Sequence, residues 1–70
     1  MEELLDECRQ AAVSHLLERI YKLCLIIGIS PDKINSDGFL DPSVYQILEK
    51  KDFVVLLDKN LIFYRKAIQQ

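Results

Sequence analysis

Two cysteines and a single histidine are the residues of this chain best suited to chemistry, and their spacing decides what they can do. Cys8 and Cys24 are sixteen residues apart, and on one helix they stand about 24 Å from each other along its axis. No intrachain disulfide spans that distance. Catalysis by a Cys8 thiolate with His15 as base fails in the same way, because seven residues of helix separate the pair by about 10 Å where a nucleophile and its base must be in hydrogen-bond contact. One histidine and two separated cysteines do not complete a four-ligand zinc site. The cysteines read as small buried hydrophobes and His15, beside Glu18 and Arg19, as a solvated surface residue.

A second cluster invites a Ca²⁺ reading, since Asn35, Asp37, Gly38, Leu40 and Asp41 fit positions 3, 5, 6, 8 and 9 of an EF-hand loop. Positions 1 and 12 then fall on Lys33 and Val44, so the first carboxylate and the bidentate glutamate are both missing. The segment reads as a polar turn. With Gly28 and Gly38 the only glycines, there is no glycine-rich phosphate loop either. No catalytic residue, metal site or cofactor is assigned, and the chain is expected not to be an enzyme.

The elements that position these residues begin with a long helix. Residues 2–27 contain no Gly or Pro and are rich in Leu, Glu, Arg and Ala, and Gly28 stands where a left-handed C-cap ends a helix. Glu2, Glu3, Asp6 and Glu7 complement the positive end of its dipole, and Glu18 with Lys22 makes a favourable i, i+4 pair. Its apolar stripe moves. Met1, Leu4, Leu5, Cys8, Ala11 and Ala12 define one face, whereas from Val13 onward a wider arc through Leu16, Leu17, Ile20, Tyr21, Leu23, Cys24 and Ile27 marks the core half. Either the helix bends across its own domain, or residues 1–12 are a helical extension that packs against a second chain.

Ser30-Pro31 and Asp41-Pro42 are each an N-cap followed by proline at the first helical position. They predict a short turn of helix over 31–35 and a second clear helix over 42–51, with the turn Asn35-Ser36-Asp37-Gly38 between them. The apolar runs Phe53–Leu57 and Leu61–Tyr64, rich in β-branched and aromatic residues around Asp58-Lys59-Asn60, favour a β-hairpin. The rival is a continuous helix from Pro42 to Gln69 making a helical hairpin, with Lys51 and Asp58 interrupting its seam. The expected fold is therefore α+β, mainly α, with the all-α helical hairpin as the alternative.

Seventy residues allow one small domain, which buries only about 60% of the surface exposed by its unfolded chain. Half of the residues are apolar, a large load for so small an interior, so part of that surface is expected to meet a partner. The acidic start lacks the positive charge of a presequence, and the longest apolar runs are far short of the roughly 20 residues of a membrane helix. The expectation is an intracellular, cytoplasmic protein with no membrane partner. A net charge of −2 gives no general attraction to nucleic acid.

Val44-Tyr45-Gln46-Ile47-Leu48-Glu49-Lys50-Lys51-Asp52-Phe53-Val54-Val55 resembles the recognition helix and first wing strand of winged-helix regulators. The resemblance implies DNA binding, with Gln46, Lys50 and Lys51 facing the groove and Lys59, Arg65 and Lys66 reaching phosphates. Leu17-Glu18-Arg19-Ile20-Tyr21-Lys22-Leu23, Gly28-Ile29-Ser30 and Asp41-Pro42-Ser43-Val44 are similar to the small helical-hairpin phosphatases of sporulation control. That family's Ser-Gln-x-Leu-Asp signature falls on Leu48-Glu49-Lys50-Lys51-Asp52, where Asp52 alone agrees, and the alignment needs an insertion between the helices. It is not adopted; under it Asp52 would be the residue that the family pattern implies.

The reading preferred on composition is a non-catalytic adaptor or regulatory subunit, bound to another protein or to a second copy of itself. Leu4, Leu5, Cys8 and Ala12 would supply the apolar helical face, Tyr45 and Tyr64 (with Phe63) the aromatic anchors, and the acidic edge would steer a basic partner. DNA binding is the alternative.

Overall fold

A computed structural model describes the backbone of residues 2–69 and the side chains of residues 6–69. Helix α1 runs Glu2–Ile27 and helix α2 runs Lys51–Ile68; between them lie three 3-10 turns, Pro31–Lys33, Pro42–Gln46 and Leu48–Lys50. The helices pack against each other as an antiparallel hairpin: Leu61 and Tyr64 stand beside Leu17 and Ile20, and Ala67 and Ile68 beside Arg9 and Val13. The core is the interface between them. Ile20, Leu23, Cys24 and Ile27 of α1 meet Val54, Leu57 and Leu61 of α2, with Leu40 and Val44 closing it from the connector.

The first helix forms as expected. It stops at Gly28, whose φ of 86° is a left-handed conformation that costs a glycine nothing, and the Gly28 and Ile29 amides both donate to the Cys24 carbonyl. Both predicted proline caps are present too: Ser30 Oγ accepts from the Asp32 amide, and Asp41 Oδ1 from the Ser43 amide.

Three expectations are corrected. The fold is all-α, with no sheet among the described residues, and the β-hairpin over 53–64 is instead the body of α2. Intrinsic strand preference amounts to about 1 kcal/mol over its whole scale, and a lone two-stranded hairpin is marginal in water. As a helix, the same residues bring Val54, Leu57 and Leu61 onto one face and bury all three against α1, worth about 1.5–3 kcal/mol each. Tertiary burial therefore outweighs local propensity. Second, residues 42–51 are not one helix. The chain leaves helical geometry at Ile47 (φ −81°, ψ 84°), which lets Val44 enter the core while the backbone turns to start α2 at Lys51. The all-α alternative thus holds, but its helix begins nine residues after Pro42. Third, the recognition helix and wing on which the winged-helix resemblance depended are absent from the described residues.

Candidate functional site

The two faces of the hairpin differ because the connector covers only one. Asn35 shapes the connector tip: its side-chain oxygen accepts from the Asp37 and Phe39 amides, its own amide donates to the Phe39 carbonyl, and the Gly38 amide returns to the Asn35 carbonyl. The polar turn read from the sequence is real, and the asparagine oxygen of the EF-hand pattern is engaged within it. Arg65 pins this tip to α2, donating from Nη1 to the Gly38 carbonyl at 2.8 Å and lying 4.4 Å from the centre of the Phe39 ring. Further along, the Tyr45 hydroxyl donates to Asp58 at 3.0 Å. Burial and the Asp58 carboxylate both push the Tyr45 phenol above its ordinary value.

Among the described residues, the side-chain hydrogen bonds and the cation–ring contact between connector and α2 all lie on the Asp58 and Arg65 side. At 100° per residue, Phe53, Leu56, Asn60, Phe63 and Ala67 form one stripe along α2, spaced three and four residues apart. Ala12, Leu16, Arg19 and Ile26 form the matching stripe on α1, with Leu23 beneath it in the core. Antiparallel helices are related by a two-fold axis normal to their common plane, so stripes at the same helical angle lie on the same side of the hairpin. Both stripes are rotated away from Asp58 and Arg65, which hold the connector. Ile26, Phe53, Leu56 and Phe63 are 45, 39, 46 and 59% exposed on this flank, while Tyr21, Leu25, Val55 and Ile62 are exposed on other faces. Asn60 lies on the α2 stripe, only 7% exposed, with Nδ2 donating to the Leu56 carbonyl at 2.8 Å.

The residues chosen from sequence are dispersed. Cys8 and Ala12 are exposed on the open flank of α1, whereas Leu4 and Leu5 lie outside the described side chains. Tyr45 and Tyr64 belong to the connector side: Tyr45 is tied to Asp58, and Tyr64 is half-buried against the core beneath Gly38. Of the four whose side chains are described, Cys8 and Ala12 lie on α1 and Tyr45 and Tyr64 on the connector side. Of the basic candidates, Lys50 and Lys51 sit at the start of α2 and Arg65 and Lys66 near its end, about 22 Å away along the axis. Gln46 is in a 3-10 turn, Lys59 points outward, and Arg65 is committed to the connector. Asp52 is exposed in the first turn of α2. Ile26, Phe53, Leu56 and Asn60 were missed, although their three-and-four spacing is visible once residues 51–68 are taken as helical.

Of the residues considered for chemistry, Cys8 and His15 are exposed on α1, while Cys24 is buried and its thiol is pushed up by that burial. Among the described residues no three His, Cys, Asp or Glu side chains gather into a metal-binding group. A cleft of about 310 Å³ lies between α1, residues 31–36 and α2, at the small end for ligand sites, and its lining holds no His, Cys or Lys. No described helix is long and apolar enough to cross a membrane. No protein family, curated protein or solved structure matches the chain.

Proposed function

We propose that the hairpin is a non-catalytic protein-binding module, an adaptor or regulatory subunit, that docks through the open flank of α1 and α2. The observation carrying this reading is the uncovered group of Ile26, Phe53, Leu56 and Phe63 on the side opposite the connector. Apolar side chains at three-and-four spacing on two adjacent helices suit a helical partner, whose own ridges fit the groove between the stripes. The partner surface moves from residues 1–12 and the two tyrosines to this flank, retaining Cys8 and Ala12 at its edge. Two free thiols suit a reducing compartment such as the cytoplasm.

The test is a tagged pull-down from native lysate, with and without nuclease, using the wild-type chain, Leu56→Glu/Phe63→Glu, and Ile62→Glu on the outer face of α2. A near-stoichiometric protein, resistant to nuclease, lost with the double variant and kept with Ile62→Glu, is the expected outcome. Equal capture by all three, or recovery of nucleic acid that nuclease removes, would overturn the reading.

A further inference from the structure

We infer that the cleft between α1, residues 31–36 and α2 is a binding site for a small organic ammonium ion, an apolar body carrying one positive charge. The site lies on the connector side and does not depend on the docking flank.

The cleft combines apolar walls with a polar rim. Leu17 and Ile34, both half-buried, and the exposed Pro31 supply the walls, over Ile20 and Leu61, which are buried beneath them. Covering such walls favours a hydrocarbon body over a fully hydrated ion. The rim is made by Tyr21, Tyr64, Asp32, Asn35 and Ser36. A volume of about 310 Å³ suits a small molecule and is too little for a helix or a strand of a partner protein.

Charge selects the sign of the occupant. Asp32 is the one ionised residue in the lining, which holds no Lys, Arg or His. Among the described residues the Asp32 carboxylate takes part in no hydrogen bond or ion pair; its backbone amide alone is engaged, by Ser30 Oγ. Lys33, the next residue, lies near Asp41, whose carboxyl is held below its ordinary value by the Ser43 amide and hydroxyl and, in smaller part, by Lys33. Asn35 Oδ1 is occupied by the Asp37 and Phe39 amides, which leaves Asp32 as the strongest free acceptor on the rim. An anion would meet this carboxylate with no cation in the lining to offset it, and a neutral molecule would leave it unused. The groove at the other end of the hairpin lacks this property, because its carboxylate, Asp6, is paired with Arg9.

Tyr21 and Tyr64 add two aromatic rings, whose electron-rich faces attract ammonium groups. Tyr64 is held in place, with two of its ring carbons 3.1 and 3.3 Å from where a Cβ on Gly38 would stand. A carboxylate and aromatic rings around one apolar cleft are the groups that recognise an organic cation.

Cyclohexylmethylammonium, cyclohexylmethanol and cyclohexylacetate share one apolar body and differ in the charge of the headgroup. Each is titrated into the isotope-labelled full chain at neutral pH and fixed ionic strength, and amide shifts are followed by NMR. The ammonium is expected to saturate with a dissociation constant about tenfold below that of the alcohol, with the carboxylate weaker than both. The shifts should centre on Tyr21, Asp32, Asn35 and Tyr64. Asp32→Asn should cut the ammonium's advantage over the alcohol to about threefold or less while leaving the alcohol's own affinity unchanged, a pattern that loss of folding does not produce. No saturable shift with the ammonium, equal affinities for ammonium and carboxylate, shifts centred elsewhere on the hairpin, or an undiminished advantage in Asp32→Asn would each overturn the inference.

Discussion

Replacing Gly38 with alanine tests whether the connector is locked onto α2. Gly28 and Gly38 share a φ of 86°, so alanine costs the same backbone strain at each, about 1–2 kcal/mol, offset by about 0.4–1 kcal/mol from a less flexible unfolded chain. Their surroundings differ. A Cβ at Gly28 has nothing within 4 Å, whereas at Gly38 it meets Arg65 Cγ at 2.9 Å and Tyr64 Cδ2 at 3.1 Å. Arg65 cannot retreat freely, because its guanidinium holds the Gly38 carbonyl and covers Phe39. Overpacking of this kind costs about 1–3 kcal/mol, with more if the charged hydrogen bond is lost. Gly38→Ala is therefore expected to destabilise by about 2 kcal/mol more than Gly28→Ala. Urea unfolding followed at 222 nm and fixed protein concentration reads this as a midpoint about 2 M lower, for a slope of about 1 kcal/mol/M. Equal midpoints for the two variants would refute the lock.

Leu57→Ala, at a site with no exposure, should lose about 2–5 kcal/mol, and a thermal melt no lower than wild type would count against the helix–helix core. Tyr45→Phe tests the Asp58 contact through pH. The folded state holds the phenolic proton more tightly than the unfolded chain, so its contribution is complete below the ordinary value of 10.0 and is lost as pH rises through the raised folded value. Wild-type melting temperature should accordingly fall more steeply than that of Tyr45→Phe above pH 10.0, and parallel profiles would refute this. A chromogenic disulfide reagent should titrate Cys8 promptly and Cys24 only on unfolding, since burial keeps the Cys24 thiol protonated and covered; two fast thiols would contradict the buried assignment.

What the sequence made legible was local chemistry. The extent of α1, its stop at Gly28 and the proline caps at Ser30 and Asp41 follow from residues that act on their own backbone within a few positions. Misreading began where a residue's conformation is decided by remote contacts. Val54, Leu57 and Leu61 are helical because α1 offers them a surface, and Ile47 leaves the helix because Val44 is drawn into the core; neither cause is visible in the residues' own preferences. The site was lost through the same error. Read as strands, Phe53 and Leu56 fall on opposite faces and Asn60 becomes a turn residue; read as a helix, all three join one stripe. Tyr45 was chosen for its ring, but its hydroxyl partner Asp58, thirteen residues away, could not be anticipated from spacing.

The connector tip has a consequence for exchange with solvent. Four amides within five residues, those of Asn35, Asp37, Gly38 and Phe39, are closed upon Asn35 and Phe39 alone, and Arg65 grips that knot from α2. An exposed loop ordinarily exchanges its amide hydrogens residue by residue. These four should instead open together, as one cooperative unit with a single opening free energy below that of global unfolding, so that a loop on the surface becomes a native reporter of whether the connector is seated.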